Sequence, residues 1–166
     1  MAAVSSATVA TGDELRRLMR FYPQGVSVLS VEREGESMGV TISSLISISL
    51  DPPLVGVSIG KQASCYELLR RSGSFGISLL GAAQAAIAQR FASGFPPLVH
   101  WEGIETRRGP AGVAPLLAEA RGWLEVRVRD EHDAGDHTVF VGDVLSIELG
   151  PAKGGLVYLD RSYHPL

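Results

Sequence analysis

Three short stretches of this 166-residue chain gather side chains that could do chemistry. In Gly39-Val40-Thr41-Ile42-Ser43-Ser44, the hydroxyls of Thr41, Ser43 and Ser44 can each donate and accept hydrogen bonds. Grouped at a strand end, where backbone amides are also free, they suit the edge of a ring with mixed donors and acceptors. Thr and Ser are equally common at strand ends simply as turn residues. In Gly60-Lys61-Gln62-Ala63-Ser64-Cys65, a strand runs into a helix start. Such a start gathers unpaired N–H groups and a positive dipole end, and with the cation of Lys61 it can hold a phosphate. Ser64 can instead serve only as the cap of its own helix. Gly135-Asp136-His137 places an imidazole directly after turn residues. A histidine there is usually just exposed.

Other chemistries find no support. No G-x-G-x-x-G follows a strand, and neither a P-loop nor a G-x-S-x-G elbow is present. His100, His132, His137 and His164 show no metal-ligand spacing with Cys65, so no metal is expected. Cys65 itself is read either as a nucleophile activated at a helix start or as a small packing residue.

The elements that must position these stretches alternate between short helices and strands. Thr11, Asp13 and Glu14 open a helix to about Phe21, with Leu15, Leu18 and Met19 on its apolar face, and Pro23 and Gly25 stop it. Val26 to Glu32 and Met38 to Ile42 read as strands joined at Gly35. A Ser/Ile-rich run, Ser43 to Leu50, leads through Asp51-Pro52-Pro53 to Leu54–Ile59, a continuous apolar run that predicts a strand buried on both faces. Ser64 and Glu67 have capping-box spacing ahead of Leu68 and Leu69, and Gly73 closes that helix. Phe75–Leu80 predicts a strand and Ala82–Phe91 a helix, while 92–120 carries no legible pattern. Trp123–Asp130 sets Leu124, Val126 and Val128 on one face and Glu125, Arg127 and Arg129 on the other. It pairs with Val139–Leu149 through a Gly135-Asp136 turn, and Leu156–Leu159 supplies a last strand. Six to eight strands with two or three helices predict a mainly β fold, a closed antiparallel barrel with helical decoration.

Hydrophobic residues make up 45% of the chain, enough for a sizeable core without a metal or disulfide. The length and the absence of a linker predict one domain over 1–166, with 1–11 as a flexible arm. A net charge of −3 gives no electrostatic reason for a nucleic-acid or anionic-membrane partner. One cysteine, no signal-peptide pattern and no run of about 18 apolar residues fit a cytoplasmic protein.

In their order along the chain these stretches resemble the short-chain flavin reductase family, the reductase components of two-component flavin monooxygenases. Arg20 with Pro23 to Val28 is similar to the family's opening helix and first strand. Met38 to Ser44, then Ser47, Ser49 and Asp51-Pro52-Pro53-Leu54, is similar to its most recognisable block. Ser64 to Leu69 with Ser72-Gly73 and Phe75, Gln89 to Ala92, Gly135-Asp136-His137 with Gly142-Asp143-Val144, and Tyr158 to Tyr163 follow in register. Only 93–118 lacks a counterpart. The resemblance implies an FMN-binding split barrel that takes FMN or FAD and oxidises NADH or NADPH, passing hydride from nicotinamide C4 to flavin N5. It implies that Thr41, Ser43 and Ser44 contact the flavin ring and ribityl chain, and that Lys61, Ser64 and Cys65 face its phosphate. Gly135, Asp136 and the catalytic His137 fall on the nicotinamide side, with Phe91 lining the same cleft. Ala63 and Cys65 stand where many relatives have Ser or Thr, and a thiol is the poorer donor. The family usually forms homodimers and often serves a flavin-dependent monooxygenase. The alternative on the same fold is an FMN-binding electron carrier without its own NAD(P)H oxidation.

Overall fold

The computed structural model describes residues 9–93 and 97–166. Of the expected arm, 1–8 lie outside the described residues, and Val9–Thr11 are exposed. A capping box does form, but at Thr11 and Glu14, where it opens helix α1 (Gly12–Met19). This helix buries no residue, so its apolar positions Leu15, Leu18 and Met19 face outward.

The chain then runs through β1 (Gln24–Gly25), β2 (Ser27–Arg33), β3 (Glu36–Ile42), β4 (Ile46–Leu50) and β5 (Pro53–Gly60). Helix α2 (Tyr66–Ser72), β6 (Ser74–Leu79) and α3 (Ala85–Ala92) follow. The stretch that carried no sequence pattern holds α4 (Pro97–Trp101), β7 (Thr106–Arg108) and β8 (Pro115–Leu117). A long hairpin, β9 (Gly122–Ala134) with β10 (His137–Leu149), and a short one, β11 (Leu156–Leu159) with β12 (Ser162–Pro165), complete the fold.

The main sheet has seven antiparallel strands in the order β3-β2-β6-β9-β10-β5-β4. Its end strands, β3 and β4, are consecutive in the chain, yet no ladder joins them. The expectation of a closed barrel is therefore wrong; the sheet is open at that seam. Side chains on each side of the seam bond elsewhere. On β3, the Thr41 hydroxyl donates to Ala88 O of α3 at 2.6 Å. In the link to β4, Ser44 Oγ donates to Ser58 O (2.9 Å) and accepts from Ser58 N (3.1 Å), tying the link to β5.

Strand β2 lies between two cores, which explains its near-complete burial. Leu29 and Val31 join Phe75, Ile77, Val126 and Phe140 under α2, whereas Val28 joins Phe91, Leu117 and Leu156. Strand β5 departs from its expected double burial: Val57 and Ile59 are buried, while Leu54 and Val55 are only partly covered. Gly73 ends α2 in the left-handed conformation, as expected, with φ of 65°. The predicted Ser64–Glu67 box is absent, because α2 starts one residue later with Cys65 at its N-cap and no side-chain cap bond.

Gly39 on β3 marks a close approach. A Cβ there would lie 2.5 Å from Phe91 Cε1 and 2.9 Å from Trp101 Cζ2. Both rings are held, their centroids 4.8 Å apart in an edge-to-face pair. Alanine would ordinarily favour a strand over glycine, but here Gly39→Ala should destabilise the protein by about 1–3 kcal/mol through overpacking. A lower urea midpoint at unchanged m-value is the expected result.

Candidate functional site

The seam of the sheet opens into a cleft of about 280 Å³. One wall is Val40 to Ser44, from the end of β3 and its link. The other is Ser58 to Gly60 at the end of β5, with Gln24 and Ala63 completing the lining. Alternation along both strands mixes apolar side chains (Val40, Ile42, Ile59) with hydroxyls.

The expected site residues divide into three groups. Thr41, Ser43 and Ser44 all line the cleft, but their hydroxyls are differently committed. Ser44 is spent on Ser58, and Thr41 has given its proton to Ala88 O while keeping lone pairs. The Ser43 hydroxyl has no protein partner among the described residues.

A second group gathers at the tip of the β9–β10 hairpin. Gly135 and Asp136 form its two-residue loop, Gly135 with φ of 70°, a pattern in which glycine leads a type II′ turn. His137 pairs across the sheet with Gly60. A Cβ on Gly60 would lie 3.6 Å from His137 Nε2, so the imidazole stands over Gly60 at the rim of the cleft. Its Nδ1 is 2.7 Å from Asp136 Oδ1. That bond, then the charge of a protonated His137, holds the Asp136 carboxyl below its usual value. An ionised carboxylate can only accept, so Nδ1 carries the proton and Nε2 is the atom turned over Gly60. Lys61 reaches the same hairpin: Nζ lies 2.6 Å from Asp133 Oδ1 and 2.7 Å from Gly135 O. Its hydrogen bond and charge lower the Asp133 carboxyl. In this structure the Lys61 cation braces the turn.

The third group does not reach the cleft. Ser64 is exposed in the turn before α2 and caps nothing. Cys65 is fully buried in the core under the sheet, and loss of water pushes its thiol up to about 11. A buried thiol held in its neutral form is opposed to the activated-nucleophile reading and agrees with the packing one. Cys65 should resist thiol reagents in the folded protein and react only as denaturant opens the core; rapid native labelling would contradict that burial. Phe91 is buried behind β3 against Gly39 and Trp101, so it supports the wall without lining it.

Gln24 and Ser58 are cleft residues that sequence reasoning missed, and Gly60 and Ala63, which lie in the expected phosphate stretch, were given no contact of their own. Ser58 and Gly60 alternate with buried Val57 and Ile59, so strand periodicity could have found them. Gln24 is placed by its pairing with Tyr158, far along the chain, and nothing local signals it. Among the described residues no group of three His, Cys, Asp or Glu could hold a metal, and no helix is long and apolar enough to cross a membrane.

The residues present fit a flavin ring. Apolar side chains offer surface to its faces, hydroxyl and amide groups suit its polar edge, and the chain's own side chains leave the cleft open.

An open antiparallel sheet with such a cleft at its seam has close known relatives. The pattern of the flavin reductase like domain matches residues 19–166. The chain belongs to this family, as the sequence resemblance implied. It is 35% identical over 147 residues to an NADH-dependent FAD reductase of Streptomyces globisporus, covering 87% of this chain and 80% of that protein. It is 33% identical over 145 residues to the reductase component of 4-hydroxyphenylacetate 3-monooxygenase of Thermus thermophilus, covering 87% and 90%. Among solved structures it is similar to BorF, the flavin reductase component of a bacterial two-component tryptophan halogenase. That match has a TM-score of 0.87 at 32% identity, over 94% of this chain and 98% of that one.

Proposed function

We propose that this protein is an NADH-dependent flavin reductase that supplies reduced FMN or FAD to a separate monooxygenase. The observation that carries the reading is the cleft at the open seam with the His137 imidazole standing over its rim at Gly60. The printed activities of the family relatives support NADH as the donor and a flavin as the acceptor.

When bound, a flavin supplies an N5 able to take hydride from nicotinamide C4, so the protein needs no nucleophile or acid–base pair of its own. The chain's work is positioning. Val40, Ile42 and Ile59 exclude water from the ring faces, and the Ser43 hydroxyl offers an edge contact. Asp136 fixes the tautomer and direction of His137. Lys61, bonded to Asp133 and Gly135 O, keeps the turn that carries both residues beside β5. His137 Nε2 then orients the nicotinamide.

Anaerobic addition of NADH to protein mixed with FMN or FAD should bleach the flavin's visible absorbance far faster than NADH alone. A passive FMN carrier would bind the flavin without that acceleration, and such a result would overturn the reductase reading.

The protein pairs with a second copy in the cytoplasm. Ile46, Ile48 and Leu50 of β4 and Leu145, Ile147 and Leu149 of β10 are all exposed, Leu50 at 88% and Leu149 at 91%. So many exposed large apolar side chains on the two strands that flank β5 favour burial in an interface. Light scattering should give twice the chain mass; a monomer at micromolar concentration would refute pairing.

A further inference from the structure

His137 is exposed near the end of a hairpin, so its height over Gly60 depends on what anchors the strand beneath it. Its neighbour Thr138 takes the opposite face of β10, as strand alternation requires, and is buried at 4% exposure. There its hydroxyl meets that of Tyr66, 2.7 Å away. Tyr66 is the first residue of α2, and its ring packs edge-on against Phe140, two residues further along β10. Both hydroxyls are cut off from water, and each satisfies the other.

Two side-chain contacts that tie the same segment to the hairpin lie nearer the surface. Lys61 Nζ meets Asp133, which is 78% exposed, and Arg70 Nε donates to Glu131 Oε2 at 2.9 Å. Such ion pairs are screened by salt and hold geometry weakly. The bond between Tyr66 and Thr138 is the dry one.

We propose that Tyr66 is a positioning residue for hydride transfer from NADH, its hydroxyl setting the height of the His137 imidazole through Thr138. The inference rests on the flavin reductase reading and on His137 orienting the nicotinamide. Tyr66 does not line the cleft and acts only through its partner. A misplacement of about 1 Å, introduced away from the chemistry, can cost on the order of 100-fold in rate. Here Phe140 still packs on the ring and the ladder with β5 remains, so a smaller loss is expected.

Tyr66→Phe removes the hydroxyl and keeps the ring, and a thermal melt verifies the fold. It should lower kcat/KM for NADH about tenfold and leave flavin affinity within about twofold. The Lys61 amide donates to Asp136 O at 2.9 Å and so reports whether the hairpin end is docked. In Tyr66→Phe this amide should exchange with solvent about tenfold faster. Thr138→Val should reproduce both changes, whereas Thr138→Ser, which keeps a hydroxyl, should stay near the wild type. These two variants carry the test if Tyr66→Phe does not fold. The deciding measurement combines Tyr66→Phe with His137→Ala. If Tyr66 acts through His137, adding Tyr66→Phe to His137→Ala should change kcat/KM by less than about twofold. Losses that multiply would show an independent effect on the fold and overturn the proposal. Unchanged turnover or unchanged Lys61 exchange in Tyr66→Phe would overturn it too, with the reductase reading intact. Wild-type protein that never oxidises NADH refutes the reductase reading, and the role of Tyr66 falls with it.

Discussion

His137→Ala should lower kcat/KM for NADH on the order of 100-fold while leaving flavin affinity within about twofold. The split follows from where the residue stands. Its imidazole is at the rim, over Gly60, and the cleft walls are built by Val40 to Ser44 and Ser58 to Gly60, which the substitution does not touch. A group that orients the second substrate contributes to the nicotinamide step and little to holding the flavin. Asp136→Asn should give a smaller loss of the same kind, because an amide can still meet Nδ1 but no longer fixes the proton there by charge. Stopped-flow reduction under anaerobic conditions, with a separate flavin titration, separates the two quantities. Wild-type reduction by His137→Ala would remove the histidine from the site. Joint loss of flavin binding and reduction would mean that the residue holds the cleft itself.

Glu125→Ala should destabilise the fold by about 3 kcal/mol or more, through unsatisfied buried donors and a new void. Glu125 is 0% exposed, near the start of β9. Its carboxylate accepts from Ala111 N (2.7 Å), Val113 N (3.1 Å) and Ser146 Oγ (2.6 Å), and so pins the loop between β7 and β8 to the sheet. Desolvation pushes this carboxyl up, but the bonds from Ser146 and the amides of Ala111, Val113 and Gly112 outweigh it, and the net shift is downward. A carboxyl whose folded pKa is depressed stabilises the protein above its unfolded pKa, about 4.3. That contribution is lost as pH falls through the lower folded value. The wild-type melting temperature should thus drop on acidification below about pH 4. The difference between wild type and Glu125→Ala should shrink over the same range. A cost under about 1 kcal/mol near neutral pH, or a difference that ignores pH, would show that the clamp contributes little.

Glu125 also shows where sequence reasoning reaches its limit. Strand alternation places it with Arg127 and Arg129, and those two are indeed exposed. Glu125 alone is covered, because the loop at 109–113 folds back over that end of the strand. The covering segment lies in the stretch without a readable pattern, so its effect on a distant polar residue had no local signature. The capping boxes make the same point on a smaller scale. Ser64 and Glu67 have the right spacing, as do Thr11 and Glu14, yet only the second pair forms. Spacing permits a cap, and the position at which the helix actually starts decides whether the hydroxyl meets the amide.

In the candidate site, the three chemistry-bearing stretches were visible as types and spacings, and the family was legible from their order. Their division of labour was not. Ser43 and Ser44 are neighbours of identical chemistry, but the second is consumed by Ser58 on another strand. Lys61 sits where a phosphate-binding lysine would, and its cation is taken by Asp133 and Gly135 from a hairpin some seventy residues on. Cys65 stands at the helix start as read, and of its two readings, nucleophile or packing residue, its full burial favours the second.

By itself the sequence determined the alternating strands, the hairpin turn at Gly135-Asp136, the end of α2 at Gly73 and the family, because these depend on nearest neighbours, backbone preference and motif order. Only the tertiary structure decided that the sheet stays open between β3 and β4, that Gln24 and Gly60 face one cleft, and that the hydroxyls of Tyr66 and Thr138 meet. The reason is physical: a hydroxyl, a cation or a strand edge bonds to whichever partner the fold brings near, and those partners lie tens of residues away.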